Sequence, residues 1–149
     1  MKLREAIEVE ERETYAKRAS DEWLDALAPL GTDWHKEHIT AAPYLAIVFA
    51  QTYGFTVGDG SARKVKHYYV QESVGISVGF FLASLTAAGL STLTHTPNPM
   101  GFLRELLHRP ENERAFVVIP IGYAAADARV PKIKKKHLDQ VLIRDAACG

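Results

Sequence analysis

Apolar residues recur at helical spacing through the first thirty positions of the chain, first as Leu3 and Ile7, then as Ala16, Ala19, Trp23, Leu27 and Leu30. Ser20 followed by Asp21 and Glu22 is a second helix start inside that stretch, because a serine oxygen accepts an orphan amide and acids suit the positive end of a helix. The pattern predicts two helices with a break near Ala19, ended by Pro29 and Gly31. A short turn capped by Thr32 or Asp33 then carries Trp34, His35, Lys36, Glu37 and His38.

Past this charged arm the polarity changes. Ala42 to Ala50 is a short apolar run that reads as a buried strand, and Tyr53 to Ser61, with Gly54, Gly58 and Gly60, reads as a connecting loop. From about Lys64 to Ala88 the chain predicts one long helix, apolar nearly all round in its second half. Gly75, Gly79, Ala83 and Ala87 form a smooth ridge along it. Such a helix must be covered on every side, and in a short chain a second subunit is the natural cover. Gly89 is placed to end it, and Leu90 to Thr94 starts the next strand. His95-Thr96-Pro97-Asn98-Pro99 is a rigid turn, Gly101 to His108 a short helix stopped by Arg109-Pro110, and Ala115 to Ile121 a strongly apolar strand. A tail follows Gly122-Tyr123, with room for one more short strand at Val141 to Ile143. The order of elements is α+β, with few strands to share one sheet.

The chain has 149 residues, 47% of them apolar, which is material for one domain with a real core. We divide it into a helical arm (1–40), a core (41–123) and an extended tail (124–149). Lys+Arg and Asp+Glu balance at 18 each, yet residues 1–40 carry 10 acids and 6 bases, 41–100 carry 2 and 3, and 101–149 carry 6 and 9. The balance gives no reason to expect a nucleic-acid partner, and the basic run Lys132 to Lys136 has no accompanying aromatic platform. One cysteine, Cys148, cannot form an internal disulfide and suits a reducing, cytoplasmic compartment. Charged residues follow Met1 directly, and Gly, Ser and Thr interrupt the longest apolar stretch, so neither a signal peptide nor a membrane span is expected.

Candidate chemistry is sparse. His35 and His38 stand at i, i+3, but no third ligand is indicated, and no metal site is expected. Nucleophile-elbow, zinc-protease and phosphate-loop motifs are missing, and Gly58-Asp59-Gly60 lacks the spacing of a dinucleotide fingerprint. Thr94 and Thr96, fixed by Pro97, could donate two hydroxyls to a ligand from a rigid platform, or simply mark a strand end. Lys132 to Lys136 could neutralise a phosphate or form a solvated face. Glu11 and Tyr15 share a helix face at i, i+4, and Lys36 could join them only if the arm folds back; otherwise this is an exposed acidic helix.

Taken together and in order, Ala42-Pro43-Tyr44-Leu45, Lys66-His67-Tyr68-Tyr69, the run from Ala88 to Pro97, Leu107 to Glu113, Ile119 to Tyr123 and Val130 to Gln140 resemble the flavin nitroreductase superfamily, and within it the iodotyrosine deiodinase branch. The resemblance runs from about Leu3 to Leu142. It implies a nitroreductase-like mixed sheet flanked by helices, a homodimer with FMN at the subunit interface, and a long buried interface helix. Implied activity is reductive dehalogenation of halogenated tyrosine, a small aromatic substrate, with electrons from NAD(P)H. By the resemblance Glu11, Tyr15 and Lys36 clamp the substrate, with Trp23 in the same lid. Thr94 and Thr96 lie beside the flavin, Thr96 as the donor to its N5, and Lys135 helps hold the FMN phosphate. Two positions depart from the branch: a lysine stands at 135 where arginine is expected, and His95 replaces a threonine. An Arg-rich phosphate grip and a Pro-Ser-Gly loop are expected ahead of the helix carrying Glu11 and are not found, so the resemblance also implies an incomplete N-terminal part. A broader nitroreductase or quinone reductase, and a flavin-free dimerising fragment, are the alternative readings.

Overall fold

The organising element is one strand. A computed structural model describes residues 2–143, so Cys148 lies outside the described residues. Strand β5, Glu113–Gly122, carries Val117, Val118, Ile119 and Ile121, all buried, because both of its faces are covered. It pairs antiparallel with β1, Tyr44–Gln51, on one side and with the two-residue strand β4, Ser91–Thr92, on the other. The sheet order is β1-β5-β4. Val48 pairs with Val117 and Phe49 with Ala115, so Phe116 is an extra residue, and the resulting bulge turns both Phe116 and Val117 to the same side of the sheet.

Two apolar layers sandwich this sheet. On one face lie helix α1 (Lys2–Glu13), the short α3 (His38–Ala41) and α5 (Gly101–Leu106), whose Ile7, Ile39 and Leu103 pack on Val118. On the other lies α4, Val70–Ala87, whose Val74, Val78, Leu82 and Leu85 pack on Val117, Ile119 and Ile121. Alternation along β1 serves both faces, Leu45, Ile47 and Phe49 toward one and Ala46 and Val48 toward the other.

The arm follows its expected course. After α1 the chain makes a π-helical turn at Thr14–Arg18 and breaks at Ala19. It restarts as α2, Asp21–Leu27, where the Ser20 hydroxyl accepts from the Trp23 amide at 3.3 Å. A 3₁₀ turn, Ala28–Leu30, ends at Gly31 with φ +65°. Asp33 accepts from the His35 amide at 2.8 Å, capping the turn that carries Lys36.

Several expectations are corrected. The stretch read as a connecting loop is the first strand of a hairpin, β2 (Tyr53–Gly58) paired with β3 (Ser61–Lys66). Asp59 and Gly60 form its turn, both at positive φ, which matches the right-handed twist of the paired strands. Helix α4 therefore begins at Val70, behind Tyr69 at φ 55°, and residues 64–66 belong to the hairpin. β1 is half-buried for most of its length, being an edge strand of the sheet. Val141 to Ile143 form no strand; residues 124–143 are exposed and largely irregular, with one 3₁₀ turn at Leu138–Gln140. By length and composition α4 would also suffice to cross a membrane, but its inner side is the cover of the sheet. Its outer side is open: Ile76 and Phe80 are 63% and 73% exposed.

Candidate active site under the helical arm

Leu3, Ile7 and Glu11 succeed one another at four-residue intervals on α1, so the stripe that packs Ile7 into the core also carries the Glu11 carboxylate inward. Glu11 is 8% exposed. Its Oε2 lies 3.2 Å from Lys36 Nζ, and Lys36 is itself 4% exposed. The ammonium also donates to the Asp33 carbonyl and lies 5.3 Å from the centre of the Tyr15 ring. Tyr15 in turn packs on Trp23 at 5.9 Å. The arm folds back, and Glu11, Tyr15 and Lys36 converge.

Lys36 is held by its backbone as well. Its amide donates to Glu8 Oε1 at 2.8 Å, and Arg4 Nε donates to the same oxygen at 2.8 Å. Those two bonds, the Lys36 amide first, hold the Glu8 carboxyl below its ordinary range. Glu8 thus ties the turn of Lys36 to α1, a role the sequence reading missed although it lies one turn before Glu11 on the same helix.

Below the ion pair is His95. Its backbone exchanges two 2.8 Å hydrogen bonds with Val118, and its ring is 9% exposed, edge-on to His38 with centres 5.4 Å apart. Burial, followed by the nearby Lys36 and His38, pushes its pKa down to about 4, so the imidazole is neutral in ordinary buffers. His38 is shifted the same way, again mainly by burial. The described residues contain no cluster of three or more His, Cys, Asp or Glu able to hold an ion.

Thr94 and Thr96 flank His95 and are exposed, and neither hydroxyl is engaged in a hydrogen bond among the described residues. A cavity of about 530 Å³ is lined by Glu11, Thr14, Trp23, Thr96 and Asn98, among others, which puts Thr96 and the arm on one concave surface. The arm is fastened across it, since the Thr14 hydroxyl and Arg18 Nη1 each lie 2.8 Å from the Asn98 carbonyl oxygen. Lys135 stands apart from this surface, exposed in the tail.

A sheet with helices on both faces makes this an α+β protein, and near its sheet end stand a buried acid–lysine pair under an aromatic lid and two free hydroxyls. Comparison with known proteins narrows the class: the chain is a relative of the iodotyrosine deiodinases and shares their fold. It is 52% identical over 142 residues to the iodotyrosine deiodinase of Haliscomenobacter hydrossis, covering 95% of this chain and 63% of that protein. To that of Hydra vulgaris it is 46% identical over 144 residues, covering 96% and 52%. A crystal structure of oxidised iodotyrosine deiodinase bound to FMN and 3-iodo-L-tyrosine matches with a TM-score of 0.71 at 28% identity, over 95% of this chain and 67% of that one. No family model matches the chain. It therefore spans between half and two thirds of the length of these two curated relatives.

Proposed function

We propose that this chain carries the substrate lid and the flavin-side residues of an FMN-dependent enzyme that removes halide from halogenated tyrosine. The observation that carries the reading is the buried Glu11–Lys36 pair beneath Tyr15. An amino-acid zwitterion needs one partner of each sign, and here a carboxylate and an ammonium wait 3.2 Å apart, each saturating the other. A bound zwitterion replaces that pair with two: its carboxylate takes Lys36 and its ammonium takes Glu11, while the Tyr15 hydroxyl and the Trp23 face close over the ligand. Closing the arm excludes water and strengthens both contacts.

On the flavin side the residues present fit FMN. Thr94 and Thr96 offer hydroxyls without internal partners, and Thr96 shares a cavity wall with Glu11. In this reading Thr96 donates to the flavin N5 and Lys135 meets the phosphate as a point charge. When bound, FMN supplies the two electrons of the reaction, in which the carbon–halogen bond breaks, halide leaves and a proton takes its place on the ring. The relative bound to FMN and 3-iodo-L-tyrosine supports both the cofactor and the substrate class. NAD(P)H as electron source and a cytoplasmic setting belong to the same proposal. So does a homodimer, for which the open side of α4, with Ile76 and Phe80 outward and Gly79 and Ala83 permitting close approach, is the supporting feature.

The test is anaerobic turnover of 3-iodo-L-tyrosine by the chain supplied with FMN and dithionite. Tyrosine and iodide in equal amounts support the proposal. Bound flavin that reduces a nitroaromatic or quinone but not iodotyrosine favours the broader reductase, and a chain that takes up no FMN favours the flavin-free alternative.

A further inference from the structure

Two buried polar atoms in this site have no partner, His38 Nε2 and, on the neighbouring ring, His95 Nε2. His95 Nε2 is shielded from solvent, makes no hydrogen bond, and faces Glu11 Oε1 at 3.5 Å. We infer that His95 is the positioning residue for Glu11, presenting an Nε2–H to Oε1 so that the carboxylate stays seated when Lys36 turns to a ligand. The inference rests on the proposed function in one respect, that Glu11 receives the ammonium of the substrate.

Geometry supplies the argument. Lys36 takes Oε2 and leaves Oε1 to His95, so the two basic side chains address different oxygens of one carboxylate. A carboxylate accepts and does not donate, which assigns the proton of the neutral ring to Nε2. The His95 backbone is fixed by its paired bonds to Val118, and its ring packs against the His38 ring with centres 5.4 Å apart. At 3.5 Å the contact is too long for a good hydrogen bond while Lys36 draws the carboxylate toward itself. A ligand carboxylate that takes Lys36 releases that pull, and a movement of a few tenths of an ångström brings Oε1 onto Nε2–H. Without His95, Glu11 would be left buried with only the ligand's ammonium to hold it in place.

Long-range proton–nitrogen spectra of the full chain, without ligand, read the ring directly. We expect the Nε2–H tautomer at neutral pH, with an Nε2 resonance that moves on Glu11→Gln; an Nδ1–H tautomer, or no response to Glu11→Gln, overturns the assignment. The FMN-supplied chain and its His95→Leu, His95→Asn and His95→Gln variants are then titrated with 3-iodo-L-tyrosine and with ortho-iodophenol, which lacks the zwitterion. Leu and Asn should weaken iodotyrosine binding about 10-fold or more and change iodophenol less than about 2-fold, while Gln, whose amide nitrogen reaches as far as Nε2, restores affinity to within about 3-fold. Equal loss for both ligands, or rescue by Asn as good as by Gln, overturns the positioning role. If the unmodified chain fails to bind 3-iodo-L-tyrosine, the functional reading falls, and the tautomer and its response to Glu11→Gln still decide whether His95 holds Glu11.

Discussion

Replacing Glu11 by Gln removes the charge and keeps the shape, so it isolates what the buried pair contributes. At 3.2 Å and an effective dielectric of about 20 the attraction is about 5 kcal/mol. Desolvating both groups offsets much of it, but deleting one partner alone strands the other: Lys36, 4% exposed, would keep only the Asp33 carbonyl and the Tyr15 ring. Breaking a buried pair in this way costs roughly 3–5 kcal/mol. For a chain of this size we expect Glu11→Gln to lower Tm by about 6–12 °C at the lower end of that range. Lys36→Met should cost a similar amount, and the double variant far less than the two together, because it strands no charge. Urea unfolding followed by circular dichroism measures all four corners of the cycle, and a coupling of about 3 kcal/mol is expected at unchanged m. Single losses below about 0.5 kcal/mol, or costs that simply add, would refute the reasoning by showing that the two charges are not buried against each other.

Three further outcomes follow from other parts of the structure. Because the folded pKa of His95 lies below its ordinary 6.5, at about 4, its contribution is full above pH 6.5 and is lost as pH falls toward 4. The shift is worth at most ~3 kcal/mol, or roughly 1–2 after allowing for solvent reaching the ring, and His95→Phe should flatten the denaturation profile in that window. Gly122→Ala puts a methyl 2.8 Å from Pro43 Cδ in a rigid ring, so a loss of about 1–3 kcal/mol by thermal unfolding is expected. Phe80→Glu on the open side of α4 should convert the proposed dimer to monomer in sedimentation without lowering the stability of the fold, since Phe80 is 73% exposed within one chain.

What the sequence made legible, and what it did not, divides along physical lines. The helix boundaries of the arm were readable because caps are local: Ser20 and Gly31 act on their immediate neighbours. The hairpin was missed because three glycines drew attention to looseness, whereas the informative signal was Asp59-Gly60 between runs of equal length, Tyr53–Gly58 and Ser61–Lys66. Glu11 was singled out as a substrate-binding candidate only through family resemblance, yet a plain signal for its burial existed, since it continues the Leu3–Ile7 stripe one turn further and a charge on a buried stripe demands a partner. That partner, Lys36, and the buried neighbour His95 are distant in sequence and meet only through the fold. No spacing rule reaches them.

In the proposed function this chain recognises the zwitterionic end of a halogenated tyrosine. Calorimetric titration of the FMN-supplied chain with 3-iodo-L-tyrosine and with ortho-iodophenol tests it most directly. Iodotyrosine should bind at least about 10-fold more tightly, and Glu11→Gln should abolish the difference. Equal affinity for the two ligands, unchanged by Glu11→Gln, would contradict it.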